Sequence, residues 1–170
     1  MPEVEYARVR LHYELSGNPD AEVLVLGNSV GSSLHMWDKA LPCFESRYRV
    51  VRFDMRGHGN SLPAELCSIG DLGRDVLALL DSLHLGSVNF CGLSLGGMVA
   101  MWLGIHAPRR VQRLILADTA ARIGTPQMWK ERIAFVEQSG MAALAPITLT
   151  RWFTATFAKH TQRKWTRFGR

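Results

Sequence analysis

Cysteine is scarce in this 170-residue chain: there are three, Cys43, Cys67 and Cys91, widely spaced and without a CxxC pair. Such usage argues against a disulfide framework or a metal site and fits reduced thiols in the cytoplasm. Long hydrophobic runs are missing as well. The longest, near Met98–Ile105 and Met141–Leu149, fall far short of the roughly 20 residues that a membrane span needs. The opening Met-Pro-Glu-Val-Glu-Tyr has neither the basic nor the apolar region of a secretory signal. No acidic residue follows Glu137. The last twenty residues hold Arg151, Lys159, Arg163, Lys164, Arg167 and Arg170 and no acid, so the rest of the chain carries 14 basic against 15 acidic residues. The net charge of +5 therefore belongs to the tail. No RNA-binding or helix-turn-helix motif accompanies it, which argues against nucleic acid as the partner.

What is present is an ordinary globular composition, 47% hydrophobic, enough for one domain with a real core. Short β-rich runs alternate with helical periods, the pattern of an α/β fold with a largely parallel sheet. The pattern predicts strands over Arg8–Leu15, Glu22–Leu26, Arg49–Phe53, Ser87–Cys91 and Arg113–Ala117. Leu72, Val76, Leu79, Leu80 and Leu83 have helix spacing over Asp71–Leu85, with Gly86 as the stop. Beyond Thr119 the chain turns to Ala-rich amphipathic segments at Pro126–Gln138, Met141–Leu144 and Ile147–Phe157. Helices that follow a run of strands suggest a lid. The expected division is a core over 1–121 and a partial helical lid with an atypical basic tail over 122–170.

The most informative segment is Phe-Cys-Gly-Leu-Ser-Leu-Gly-Gly at 90–97, which frames Ser94 as Gly92-x-Ser94-x-Gly96. An apolar strand-like run precedes it and an apolar helix-like run follows, the context a nucleophile elbow requires. The glycines keep side chains from colliding in so sharp a turn, and the serine hydroxyl is left exposed at the sheet's carboxyl edge. Gly27-Asn-Ser-Val-Gly31 closes another strand. Its backbone can supply one amide to an oxyanion hole, with Val30 the choice and Ser29 close enough to be confused with it; the second amide is that of Leu95. A plain Gly-rich turn would look the same. In Asp54-x-Arg56-Gly57-x-Gly59-x-Ser61, Asp54 and Arg56 are expected to form a structural ion pair. His58 is a tempting base whose placement favours a structural role.

Together these segments resemble the α/β-hydrolase superfamily, and within it the 3-oxoadipate enol-lactonases of the β-ketoadipate pathway. The resemblance rests on Leu26-Gly-Asn-Ser-Val-Gly-Ser-Ser-Leu-His-Met-Trp-Asp38, Asp54–Ser61, Gly92–Gly97 and Ala117-Asp-Thr-Ala-Ala-Arg-Ile-Gly-Thr-Pro-Gln-Met-Trp129, and it covers about residues 5 to 157. It implies a mostly parallel sheet flanked by helices, with the start of a helical lid. It also implies a serine acyl-enzyme that opens 3-oxoadipate enol-lactone to 3-oxoadipate, with Ser94 as nucleophile and the amides of Val30 and Leu95 as oxyanion donors. No metal or cofactor is implied. The substrate is a small anionic lactone, so a lid cation is expected, with Arg132 and Arg122 as candidates. Trp129 and Trp152 are candidate pocket walls, although aromatics at such positions more often simply pack.

The chain departs from that family in one respect. The superfamily orders its triad Ser, then Asp or Glu, then His. The only histidine more than a dozen residues past Ser94 is His160, in the basic tail. His106 lies on the elbow helix, and His12, His35 and His84 precede the nucleophile. Asp118 is a second-choice acid. The final strands, acid and base of the family are thus expected to be missing, through a truncated or shifted reading frame; a genuine basic lid helix is the alternative. The chain alone is then expected to show little lactonase activity and to self-associate through an exposed sheet edge. Another serine carboxylesterase or lactonase of the same fold, or a non-catalytic remnant needing a partner, are the competing readings.

Overall fold

A computed structural model of the chain describes residues 2–6, 9–62 and 68–157. Cys67, His160 and the tail cations beyond Arg151 lie outside them. The chain divides into two compact units, Met1–Arg122 and Ile123–Arg170.

The first unit is an α/β layer structure. Its strands are β1 (Glu3–Tyr6), β2 (Val9–Gly17), β3 (Val23–Gly27), β4 (Arg49–Phe53), β5 (Val88–Leu93) and β6 (Val111–Ala117). They form one sheet in the order β1-β2-β4-β3-β5-β6. β1 and β2, and β2 and β4, pair antiparallel, whereas β4, β3, β5 and β6 run parallel. The parallel strands are the ones separated by helical crossovers, as parallel pairing demands. Those helices are α1 (Leu41–Glu45), α2 (Ile69–Ser82) and α3 (Leu95–His106).

The central strands read as continuous apolar runs because both faces of the sheet are covered. Alternation along each strand sends Val25, Val51, Phe53, Val88 and Phe90 to one core, with Leu72, Val76, Leu79 and Leu80 of α2 and Val99, Ala100 and Leu103 of α3. Leu24, Leu26, Val50 and Cys91 face the other way, against Trp37. Burial pushes the Cys91 thiol up, which disfavours the reactive thiolate. Cys43 is exposed, and neither cysteine is bridged.

The strand and helix expectations hold to within a few residues. Two short elements, β1 and α1, had no signal of their own. In the second unit, α4 spans Pro126–Ser139 and α5 spans Met141–Trp152. The pattern divided α5 before Pro146, but the helix runs through it. Proline removes one amide donor there, yet its ring fixes a φ compatible with a helix. The break falls instead at Gly140, whose φ of 77° is open to glycine and strained for other residues.

Helix α2 begins with a reciprocal cap. Ser68 Oγ accepts from the Asp71 amide, and the Asp71 carboxylate accepts from the Ser68 amide. The hydrogen bonds from the Ser68 hydroxyl and amide, followed by the one from Arg74, hold the Asp71 carboxyl well below the usual carboxylate range. A folded-state value below the unfolded one means that the stabilising contribution is complete above the unfolded value and fades as acid protonates the folded carboxylate. The stability difference between the native chain and Asp71→Asn is therefore expected to be constant above about pH 5 and to shrink below about pH 4. Urea denaturation at a series of pH values checks this; a difference that grows on acidification would contradict it.

Candidate active site

Ser94 stands between β5 and α3 with φ 54° and ψ −109°, a left-handed backbone that a non-glycine residue adopts only when its surroundings enforce it. The enforcement is visible on both sides. The Ser94 amide donates to Ala117 O of β6 at 2.9 Å, and its carbonyl accepts from the Thr119 hydroxyl at 2.7 Å. A Cβ on Gly92 would stand 2.2 Å from Gly96 O, and one on Gly96 would stand 2.3 Å from Gly27 O. Both positions exclude any side chain because backbone fills the space. The predicted elbow is present, and its two framing glycines are needed for room rather than for an unusual φ.

The close approach of Gly96 to Gly27 joins the elbow to the loop after β3. Gly96 N–H donates to Asn28 O at 2.9 Å. The Asn28 side chain, 1% exposed, donates to Phe53 O at 2.8 Å and accepts from Trp37 Nε1 at 2.9 Å. One buried amide thus ties the ends of β3 and β4 to the elbow. Sequence reasoning used Asn28 only as part of a backbone turn; its signal was a polar residue directly after a fully apolar strand.

Beyond Asn28 lie three consecutive amides. Ser29 N–H donates to the Met36 thioether at 3.4 Å, and Gly31 N–H donates to His58 Nε2 at 2.9 Å. Among the described residues the Val30 amide between them has no acceptor. Neither has the Leu95 amide, which lies in the first turn of α3, where no intrahelical acceptor exists. The ambiguity between Ser29 and Val30 is thereby narrowed: only Val30 keeps an unengaged donor. Both free amides flank the Asn28–Gly96 junction, and the positive end of the α3 dipole adds to the Leu95 side.

His58 has a definite tautomer. An N–H can only donate, so Nε2 is the unprotonated nitrogen, and Nδ1 carries the proton toward Arg56 O at 3.1 Å. Asp54 and Arg56 do not form the expected ion pair. The Asp54 carboxylate, 1% exposed, accepts from the Leu34 amide at 2.7 Å and the Asn60 amide at 2.9 Å. Arg56 reaches α2 and forks onto Asp75, with Nε 2.7 Å from its carboxylate. The correction follows from geometry. Asp54 ends a buried strand, where unpaired loop amides are the nearest donors, and Arg56 lies beyond it, facing α2.

Asp118 follows the strand residue that accepts from Ser94, and it too has a positive φ, 42°. Its side chain is exposed. His106 stacks on Trp102 at 4.6 Å, His12 is buried beside Glu14, and His35 pairs with Asp38. Among the described residues no histidine or carboxylate hydrogen-bonds the Ser94 hydroxyl. Arg122 is the exposed last residue of the first unit. Arg132 and Trp129 belong to the second unit and meet there: the guanidinium lies 5.4 Å from the indole centroid, and Trp129 Nε1 is anchored to Ile123 O at 2.7 Å. Trp152 is 49% exposed.

A mostly parallel sheet with a strained serine at a strand–helix turn and free amides beside it defines a class. Residues 17–163 match the model of the alpha/beta hydrolase fold, and the chain belongs to that family. Within it, the chain is 42% identical over 150 residues to 3-oxoadipate enol-lactonase 2 of Acinetobacter baylyi, covering 88% of this chain and 56% of that protein. The structure superposes on the enol-lactonase of Burkholderia xenovorans LB400 with a TM-score of 0.94 at 37% identity, over 98% of this chain and 65% of that one. A hydrolase of Pseudomonas aeruginosa gives 0.93 at 40% identity, over 98% and 64%. The chain thus spans little more than half the length of the A. baylyi relative.

The Gly31–His58 bond makes a local prediction. His58→Phe should cost about 1 kcal/mol of stability and accelerate hydrogen exchange at the Gly31 amide while leaving α2 protected. Amide exchange by NMR is the check, and unchanged Gly31 protection would show that the bond is not formed.

Proposed function

We propose that Ser94 is the nucleophile of an ester-opening reaction on an enol-lactone that carries a carboxylate, with 3-oxoadipate enol-lactone as the substrate. The observation that carries this reading is the left-handed Ser94 backbone held against two unengaged amides, Val30 and Leu95. The names of the relatives supply the substrate. Attack of the serine oxygen on the lactone carbonyl would break the ring C–O bond and leave an acyl-serine; the proton given up by the serine hydroxyl ends on the departing enolate, which settles as the ketone. Water then cleaves the ester. The carbonyl oxygen gains charge in the first step, and the two amides with the α3 terminus are where that charge would be received. Val30 and Leu95 contribute through backbone, so their side chains can vary.

The base is not among the groups that touch Ser94 in the described residues. Asp118 remains the acid candidate on this strand edge, and His160 lies outside the described residues. The oxyanion amides alone would leave about 10³–10⁴-fold acceleration over water, so slow turnover by the 170-residue chain is part of this reading. Arg132, Trp129 and Arg122 are the residues proposed to contact the substrate. No helix among the described residues is long and apolar enough to cross a membrane.

The test is covalent. A fluorophosphonate incubated with the chain should add its phosphonyl group to Ser94, read by peptide mass, and Ser94→Ala should abolish that adduct. Labelling at other residues with Ser94 untouched, or fast lactone opening that survives Ser94→Ala, would overturn the assignment.

The partner expectation is carried by β6, the last strand of the sheet, where Ile115 and Leu116 are 54% and 45% exposed. A long apolar edge is a template for pairing with a second chain. Self-association is expected to rise with concentration and to fall in Ile115→Lys, as sedimentation velocity would show; identical behaviour of the two proteins would remove the edge from consideration.

A further inference from the structure

The second unit contains a pocket of its own between α4 and α5, about 210 Å³ in volume. Its walls are mainly apolar, with Met128 and Phe135 from α4 and Leu144 and Ile147 from α5. Two of its lining residues are cations, Arg132 and Arg151. Neither guanidinium pairs with a carboxylate among the described residues. Arg132 is held by its stacking on Trp129, whose own indole N–H is anchored. Burial, and then the positive charge of Arg151, lower the Arg132 guanidinium pKa. Two like charges facing one small, largely apolar space repel each other, and an anion between them would turn that repulsion into attraction.

We propose that Arg132 and Arg151 form a two-guanidinium clamp for the carboxylate of a short aliphatic acid, whose carbon arm lies against Leu144, Ile147, Met128 and Phe135. Arg151 is the new member; by sequence it is indistinguishable from the basic tail that begins with it. The pocket is smaller than those that hold drug-sized ligands, which start near 300 Å³, so it suits one carboxylate and a few carbons rather than a whole cofactor. Guanidinium forks match carboxylate oxygens in two parallel hydrogen bonds, and their planar faces tolerate apolar neighbours better than an ammonium does. Identification of the acid as the carboxylate arm of the substrate rests on the enol-lactone reading; the clamp itself does not.

Adipate, a stable six-carbon dicarboxylate, is the probe. Titrated into the 170-residue chain, it should change tryptophan fluorescence saturably through Trp129 and should bind more weakly as salt is raised. Arg151→Gln and Arg132→Gln are each expected to weaken binding by about 10-fold or more, and Arg151→Lys by less, since it keeps the charge and loses the fork. Dimethyl adipate, of the same length but uncharged, should not bind. Arg151 is exposed, so its substitution leaves the fold intact, and thermal unfolding of each variant verifies this. Adipate that fails to saturate, or that binds Arg151→Gln as well as the native chain, overturns the clamp. Adipate binding without any Ser94 adduct would support the clamp and sink the enol-lactone reading. A Ser94 adduct with no adipate binding would do the reverse.

Discussion

The structure depends on an approach of backbone to backbone. Gly96 comes so near Gly27 that a Cβ on Gly96 would stand 2.3 Å from Gly27 O, and the contact is sealed by the hydrogen bond from the Gly96 amide to Asn28 O. Move those segments apart by the radius of one methyl group and three things fail together. The Ser94 turn loses the packing of Gly96 on Gly27 that frames it. The Leu95 amide leaves the vicinity of the β3 loop. The first turn of α3 no longer points its positive end at the same place. Parallel packing of β3 beside β5 brings the two loops to one edge, and the glycines let them touch.

Around that contact the polar groups divide their labour. Asp54 spends its charge on two loop amides, Arg56 ties the same loop to α2 through Asp75, and His58 engages the Gly31 amide. None of these groups faces Ser94 in a hydrogen bond, yet together they set the conformation of the segment from Ser29 to Gly31. Every amide of that segment but one is occupied. A loop whose donors are satisfied except at one position is preorganised, because no internal acceptor competes for the remaining donor.

Much of this was legible in the sequence for a physical reason. β3, β4 and β5 are buried on both faces and therefore read as apolar runs, and the spacing from Leu72 to Leu80 is the inner face of α2. The elbow was legible because steric exclusion leaves glycine as the only solution at Gly92 and Gly96. Short elements were not: β1 is four residues long and α1 five, and α1 buries none, so neither carries a period. The partners of Asp54 and Arg56 were misassigned because proximity in sequence says little about where side chains of a loop point. Asp75, which accepts from Arg56, sits 19 residues away on the buried face of a helix otherwise read as apolar. Arg151 was hidden by its neighbours, since a pocket-lining cation at the head of a basic tail has no distinguishing spacing.

Asn28 also restricts what chemistry the site can survive. Its side chain works because it has two different ends: the nitrogen gives a proton to Phe53 O, and the oxygen takes one from Trp37. Aspartate has the same size and shape but offers acceptors at both ends, so one of them would confront a carbonyl with no proton between. Deamidation converts asparagine into that acid spontaneously. At most positions the change is a surface charge; here it would unfasten the junction of three strand ends. The two bonds that fix the Asn28 side chain therefore also bear on how long a molecule lasts, because they hold it away from the attack by the Ser29 nitrogen through which asparagine deamidates.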